Sequence, residues 1–399
     1  MNYFSKPLSF VLYLGAIAHI SSVPVAYESN SGDEDWIYIE CRSVCEHVCE
    51  TGAEERHVDV LSEHAVVLNA IPWHNLTHAD LHQAPSSSKI KIDDAIESVS
   101  SSGYKSTKAH SHGSLKQRFR VYHEFGKSDP QLFTWPCEDH CRYTCMHYVV
   151  DQRKSQLPVR QFHGKWPFKR VLFCQEILSS VYSLGNCIPY LVFAFSAAFW
   201  RIRPIMRWLT ISFITVWIAS TVFHCRDTNS TMMFDYYSVL FGGLVNIAAA
   251  ADSIFFRNKP STIWRTILFT SLTLLWFILV GYMTFIEFDF FMHIVSTIIF
   301  GITGTLLWLT WYALHRRHVA HAWMIAVGSV SLFPLLIAFE LNDFPPGEMG
   351  LADAHSFWHL TSIPVAVLIA TFFFKEAQWD SAELVSNVSR GRSKSRKQV

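Results

Sequence analysis

Asp353-Ala354-His355-Ser356-Phe357-Trp358-His359 opens an apolar run that continues to Phe374, and the reading of this stretch decides the class of fold. The run has the ~20 residues that a helix needs to cross the hydrocarbon core of a bilayer. At its mouth two imidazoles stand four residues apart. On a helix that spacing puts both rings on one face, where they can share a metal. Ionisable groups at membrane depth are costly, and by default they mark a functional site.

Six further apolar segments precede it, giving spans at about 176–199, 208–225, 231–254, 264–285, 289–314, 321–339 and 355–374. Over 399 residues the chain is 50% hydrophobic and only 17% charged, a membrane-protein composition. The expected fold is an all-α, seven-transmembrane helix bundle. A formal net charge of zero gives no bias toward nucleic acid or nucleotide partners, so charge is informative only by location.

The loops divide sharply. Arg201, Arg203, Arg207, Arg257, Lys259, Arg265, Arg316, Arg317 and the tail residues Arg390, Arg392, Lys394, Arg396 and Lys397 fall on one side. Asp227, Glu287, Asp289, Glu340, Asp343, Glu348 and Asp353 fall on the other, with Arg226 as the only basic residue. The positive-inside rule makes the first set cytosolic. The expectation is therefore a lumenal N-terminus and a cytosolic C-terminus.

Lys6, a short apolar stretch and small residues up to Ala26 read as a signal peptide over 1–26. A lumenal Cys-rich region then covers 27–173, the seven-span domain 174–375 and a basic tail 376–399. Cys41, Cys45, Cys49 and Cys137, Cys141, Cys145 form two clusters of matching spacing. In an oxidising compartment they read as disulfides of open connectivity. Between them, residues of about 86–118, rich in Ser, Lys and His, read as a disordered insertion. Asn75-Leu76-Thr77 is a glycosylation sequon.

The topology carries Ser220 and His224 at the end of the second span, Asp235 near the start of the third, and His355 and His359 to one level of the lumenal side. Three neutral imidazoles with an open position are the ligand set of a catalytic zinc, whose bound water ionises near pH 7 and attacks an ester or amide carbonyl. Asp235 has the chemistry of a general acid/base. Ser220, four residues before His224, can steady an oxyanion or orient a ligand. Each has an innocent alternative: an interfacial helix entrance for the histidines, the helix macrodipole for Asp235, interhelical packing for Ser220. His293 is a rival ligand without a partner four residues away. Asp353 reads as a helix cap.

Ser220-x3-His224, Asp235 eleven residues later and His355-x3-His359 on the last span together resemble the CREST superfamily of seven-span metal-dependent hydrolases, which includes alkaline ceramidases and adiponectin-receptor-like proteins. Cys137-Glu138-Asp139-His140-Cys141, His163-Gly164-Lys165-Trp166-Pro167-Phe168, Phe223-His224-Cys225-Arg226-Asp227 and Phe339-Glu340-Leu341-Asn342-Asp343-Phe344-Pro345-Pro346 look like its PER-like family. That resemblance implies removal of the sn-2 acyl chain from the inositol phospholipid of GPI-anchored proteins, in the Golgi or endoplasmic reticulum. It implies zinc on His224, His355 and His359, with Asp235 and Ser220 as catalytic partners. The competing readings are a ceramidase-like amidase and a non-catalytic seven-span receptor or GPI chaperone with structural zinc. Two departures from the pattern stand out. Gln175-Glu176-Ile177-Leu178-Ser179 lacks the family's proline, and His163–Phe168 lacks the carboxylates that bind calcium in ceramidases, so no calcium site is expected.

Overall fold

The computed structural model describes residues 32–51, 135–153, 158–257, 263–286, 288–340 and 342–396. The expected signal peptide over 1–26, the sequon at Asn75 and the expected insertion of about 86–118 lie outside the described residues. The chain divides into two compact units, Met1–Pro167 and Phe168–Val399.

In the first unit, α1 (Trp36–Thr51) packs on α2 (Cys137–Arg153). Cysteines spaced four apart fall on one face of a helix, and two such faces run antiparallel here. Three rungs result: Cys41–Cys145, Cys45–Cys141 and Cys49–Cys137, with Cα–Cα separations of 5.7, 5.6 and 5.8 Å. Ile37, Tyr38, Val149 and Phe162 fill the space beside them. This core is small, so the crosslinks carry much of its stability. The middle rung closes a loop of only a few residues once the outer two have formed. Cys45→Ala with Cys141→Ala is therefore expected to cost less than about 2 kcal/mol, whereas loss of all three rungs should open the pair to protease, as mapped by limited proteolysis and mass spectrometry.

Among its described residues the second unit holds seven helices long and apolar enough to cross a membrane: α3 (Ile177–Ala194), α4 (Pro204–Cys225), α5 (Asn229–Phe255), α6 (Ile263–Phe285), α7 (Phe290–His315), α8 (Ala322–Leu335, continued by a π-helical turn Leu336–Glu340) and α9 (Ala354–Arg396). Contacts close six of them into a ring, α3–α4–α5–α7–α8–α9 and back to α3. Helix α6 packs chiefly on α5 and, among the described residues, buries one, Met283. Phe193, Met206, Leu209, Trp308, Trp311, Phe372 and Phe373 form the apolar interior of the ring.

The helices that start at the histidine end are capped as their sequences dictate. Thr228 and Thr231 make a reciprocal capping box before α5, and Asp289 Oδ1 accepts from Met292 N–H before α7 (3.0 Å). Asp353 Oδ1 accepts from Ser356 N–H (2.8 Å) while Ser356 Oγ accepts from Asp353 N–H (2.9 Å). Asp353 is thus the cap of α9, and this pairing orients the turn that carries His355.

Two ends differ from the expected limits. Helix α3 stops at Ala194 rather than 199, because both the N–H and the hydroxyl of Ser196 bond to Phe193 O (3.0 and 2.7 Å) and tighten the last turn. Helix α9 continues past 374 to Arg396: Lys375-Glu376-Ala377-Gln378-Trp379 contains good helix formers and no proline.

Candidate metal centre

Helix α3 sets the geometry of the site. Gly185 lets α9 approach so closely that a Cβ there would lie 2.8 Å from Ile363 Cδ1. Beside it, Asn186 Nδ2 donates to His359 O (2.7 Å) and Asn186 Oδ1 accepts from Ser362 Oγ (3.1 Å). The second tie runs from α3 to α4: Gln175 N–H and Glu176 N–H donate to Cys225 O and His224 O (2.9 and 3.0 Å), and Cys174 is disulfide-bonded to Cys225. The last residues of α4 and the entry to α3 are thereby stitched together around His224.

Three imidazoles converge at this point. The Nε2 atoms of His224, His355 and His359 are separated by 3.3 Å (224–355), 3.2 Å (224–359) and 2.9 Å (355–359). Behind them, His224 Nδ1 donates to Glu176 Oε2 (2.7 Å) and His355 Nδ1 to Glu340 Oε2 (2.7 Å). His359 Nδ1 meets Ser183 Oγ at 3.4 Å, and Ser183 Oγ lies 3.0 Å from Ser220 Oγ. Trp217 walls the His359 ring at 5.8 Å.

This arrangement fits a metal. Nitrogens each ~2.05 Å from a tetrahedral zinc lie about 3.3 Å apart, close to the separations seen. The chemistry of the donors agrees with the distances. An imidazole that gives its Nδ1–H to a carboxylate has a bare lone pair on Nε2. Lone pairs facing each other at ~3 Å repel unless a cation sits between them. The three histidines are therefore a group that can hold a metal ion.

The other candidates sit as follows. Asp235 is buried in the second turn of α5. Its neighbour Tyr236 lies 5.8 Å from Phe223, the residue before His224, which brings Asp235 to the level of that histidine. Ser220 stands behind His359 by way of Ser183. His293 does not join the three rings; it stacks on Tyr236, with centroids 4.6 Å apart.

Sequence reasoning missed Glu176, Glu340, Ser183 and the Cys174–Cys225 pair. The signal for the two glutamates was an acidic residue at the mouth of a span, on the side where the histidines lie. For the disulfide it was that the two cysteines flank Glu176 and His224.

The model of the Per1-like family matches residues 128–377. The chain belongs to the Per1-like family. Relatives include a Xenopus laevis protein named GPI-specific phospholipase A2-like PGAP3, 35% identical over 248 residues, or 61% of this chain and 77% of that protein. The human protein of the same name is 33% identical over 254 residues, covering 60% and 76%. Protein PER1 of Saccharomyces cerevisiae (strain ATCC 204508 / S288c) is 28% identical over 295 residues, covering 64% and 81%. The matched region of this Per1-like chain contains all three histidines, both glutamates and the α2 cysteines.

Proposed function

We propose that this protein is a zinc-dependent acyl ester hydrolase that removes the sn-2 fatty acid from the inositol phospholipid of GPI-anchored proteins. The observation that carries the chemistry is the convergence of three Nε2 atoms, two of them on imidazoles whose Nδ1 meets a carboxylate. The substrate comes from the relatives' names, two of which read GPI-specific phospholipase A2-like. The charge division of the loops supports a histidine end facing the lumen and a cytosolic tail; the basic start, short apolar stretch and small residues support a signal peptide over 1–26, and the family resemblance supports the Golgi or endoplasmic reticulum.

His224, His355 and His359 hold the zinc. Bound there, it supplies a Lewis acid that polarises an ester carbonyl and activates water. Asp235 takes the proton of the attacking water and returns it to the departing glycerol oxygen as the acyl C–O bond breaks. His355 and Glu340, with side chains 31% and 39% exposed, form the open side from which lipid approaches, while His224 and Glu176 are closed off at 6% and 5%. Ser220 orients His359 through Ser183, and the 3.0 and 3.4 Å contacts favour that role over oxyanion binding.

Mass spectrometry of the lipid on a GPI-anchored reporter, in cells with and without this protein, tests the reading. Retention of the unsaturated sn-2 chain only in its absence is the expected result; identical lipids in both would refute it. Asp235→Asn should reduce acyl release to background while leaving metal content and abundance as in the wild type. Ser220→Ala should lower the rate by about tenfold or less, in proportion to weaker metal retention. A rate loss with metal binding unchanged would return Ser220 to the reacting atoms.

A further inference from the structure

We propose that Glu176 and Glu340 are positioning residues which neutralise the bound dication and fix the metal-binding tautomer of two histidines. The inference rests on the metal-site reading above and goes beyond it, to what makes such a site tolerable at this depth. Three neutral imidazoles around a divalent cation leave two uncompensated positive charges in a medium of low dielectric, where isolated charge costs several kcal/mol even after relaxation. Glu176 and Glu340 each bring one negative charge to an Nδ1, at 2.7 Å in both cases. With both glutamates ionised, the metal, three ligands and two carboxylates sum to zero.

The same bonds decide which ring nitrogen faces the metal. A carboxylate on Nδ1 holds the proton there, leaves Nε2 bare and raises its basicity. His359 has only a hydroxyl at 3.4 Å in that place. The three ligands are therefore unequal, two of them carboxylate-backed and one hydroxyl-backed.

The two glutamates also come from different parts of the chain. Glu176 opens α3 and is tied through its backbone to His224 O, so it is rigid with respect to its histidine. Glu340 ends the π-helical turn after α8 and reaches His355 across the gap to α9. Burial makes the Glu176 interaction the less screened of the two.

The test uses the full chain in lipid nanodiscs, with zinc as the probe in competition against a chelator of known affinity. Glu176→Gln is expected to weaken zinc binding by roughly 100-fold and Glu340→Gln by roughly 10-fold. Ser183→Ala should have a smaller effect than either. Glu340→Asp should recover part of the loss. Cobalt substituted for zinc should show altered ligand-field bands in the glutamine variants, which a remote packing defect would not produce. Metal-free Glu176→Gln and Glu340→Gln proteins should unfold at the wild-type temperature or above it, since the carboxylates are left without a cation. Wild-type zinc affinity in both variants would overturn the proposal and leave the metal site standing. Lower stability of the metal-free variants with unchanged cobalt bands would also overturn it, in favour of a structural role. A wild-type protein that takes up no divalent metal would overturn the metal-site reading itself.

Discussion

Alanine in place of His355 or His359 is expected to strip the protein of zinc and to leave the acyl chains of a GPI-anchored reporter as they are in cells without the protein. The chain supplies three nitrogen donors at one point, within 3.3 Å of one another, and two cannot retain the ion against cellular chelators. A Lewis acid contributes several kcal/mol to the stabilisation of developing charge, and each ~1.4 kcal/mol is tenfold in rate. The loss should therefore reach about 10³-fold or more. His359→Ala should be the harsher of the two for the surrounding structure. Its ring is buried against Trp217 and contacts Ser183, whereas His355 lies on the open side. Neither change reaches the apolar interior of the ring around Phe193, Met206, Leu209, Trp308, Trp311, Phe372 and Phe373, so abundance should hold. Zinc content measured on purified protein and reporter lipids measured in cells must fall together. Acyl release that persists without zinc would exclude the hydrolase reading, and zinc retained by both variants would place the metal elsewhere.

The spans were legible because each is a long apolar run, and their helices lie within a few residues of the expected limits except where Ser196 ends α3 early and α9 runs on. The cap at Asp353 was legible because it is local: a carboxylate meets an N–H three residues away. The histidines were legible as a group because His355 and His359 share a helical face and the loop charges put His224 at the same end. The carboxylates behind them were not, because Glu176 lies 48 residues from His224 and only the antiparallel packing of α3 on α4 makes them neighbours. The arginines show a different limit. Arg203, Arg257 and Arg265 read as topology markers, and counting them cannot show that they turn inward to meet Asp252, Glu376 and Asp380.

That inward-facing network should give the largest stability effect of any single polar substitution in the bundle. Glu376 is completely buried. Its carboxylate accepts from Arg203 Nη2 (3.2 Å), Arg257 Nη1 and His321 Nε2 (3.1 Å), and so ties together the segment before α4, the end of α5, the turn before α8 and α9. Arg203 also bonds Asp252 (3.0 Å), Arg257 bonds Asp380 (2.7 Å) and lies 3.4 Å above the Trp379 ring, and Arg265 forms an ion pair with Asp252 (2.8 Å). Three guanidinium groups balance three carboxylates. Glu376→Gln keeps the shape and removes one negative charge, leaving Arg257, itself 6% exposed, in a site with excess positive charge. Breaking a buried pair from one side costs about 3–5 kcal/mol, so thermal unfolding in detergent should move down by roughly 10 °C. The double variant Glu376→Gln with Arg257→Met removes the stranded cation as well and should recover part of that loss. A single variant within about 1 kcal/mol of wild type would mean that water screens the cluster and that it does not hold the helices together. Zinc affinity at the opposite end of the bundle should be unchanged in both variants, because the damage is electrostatic and confined to the arginine end.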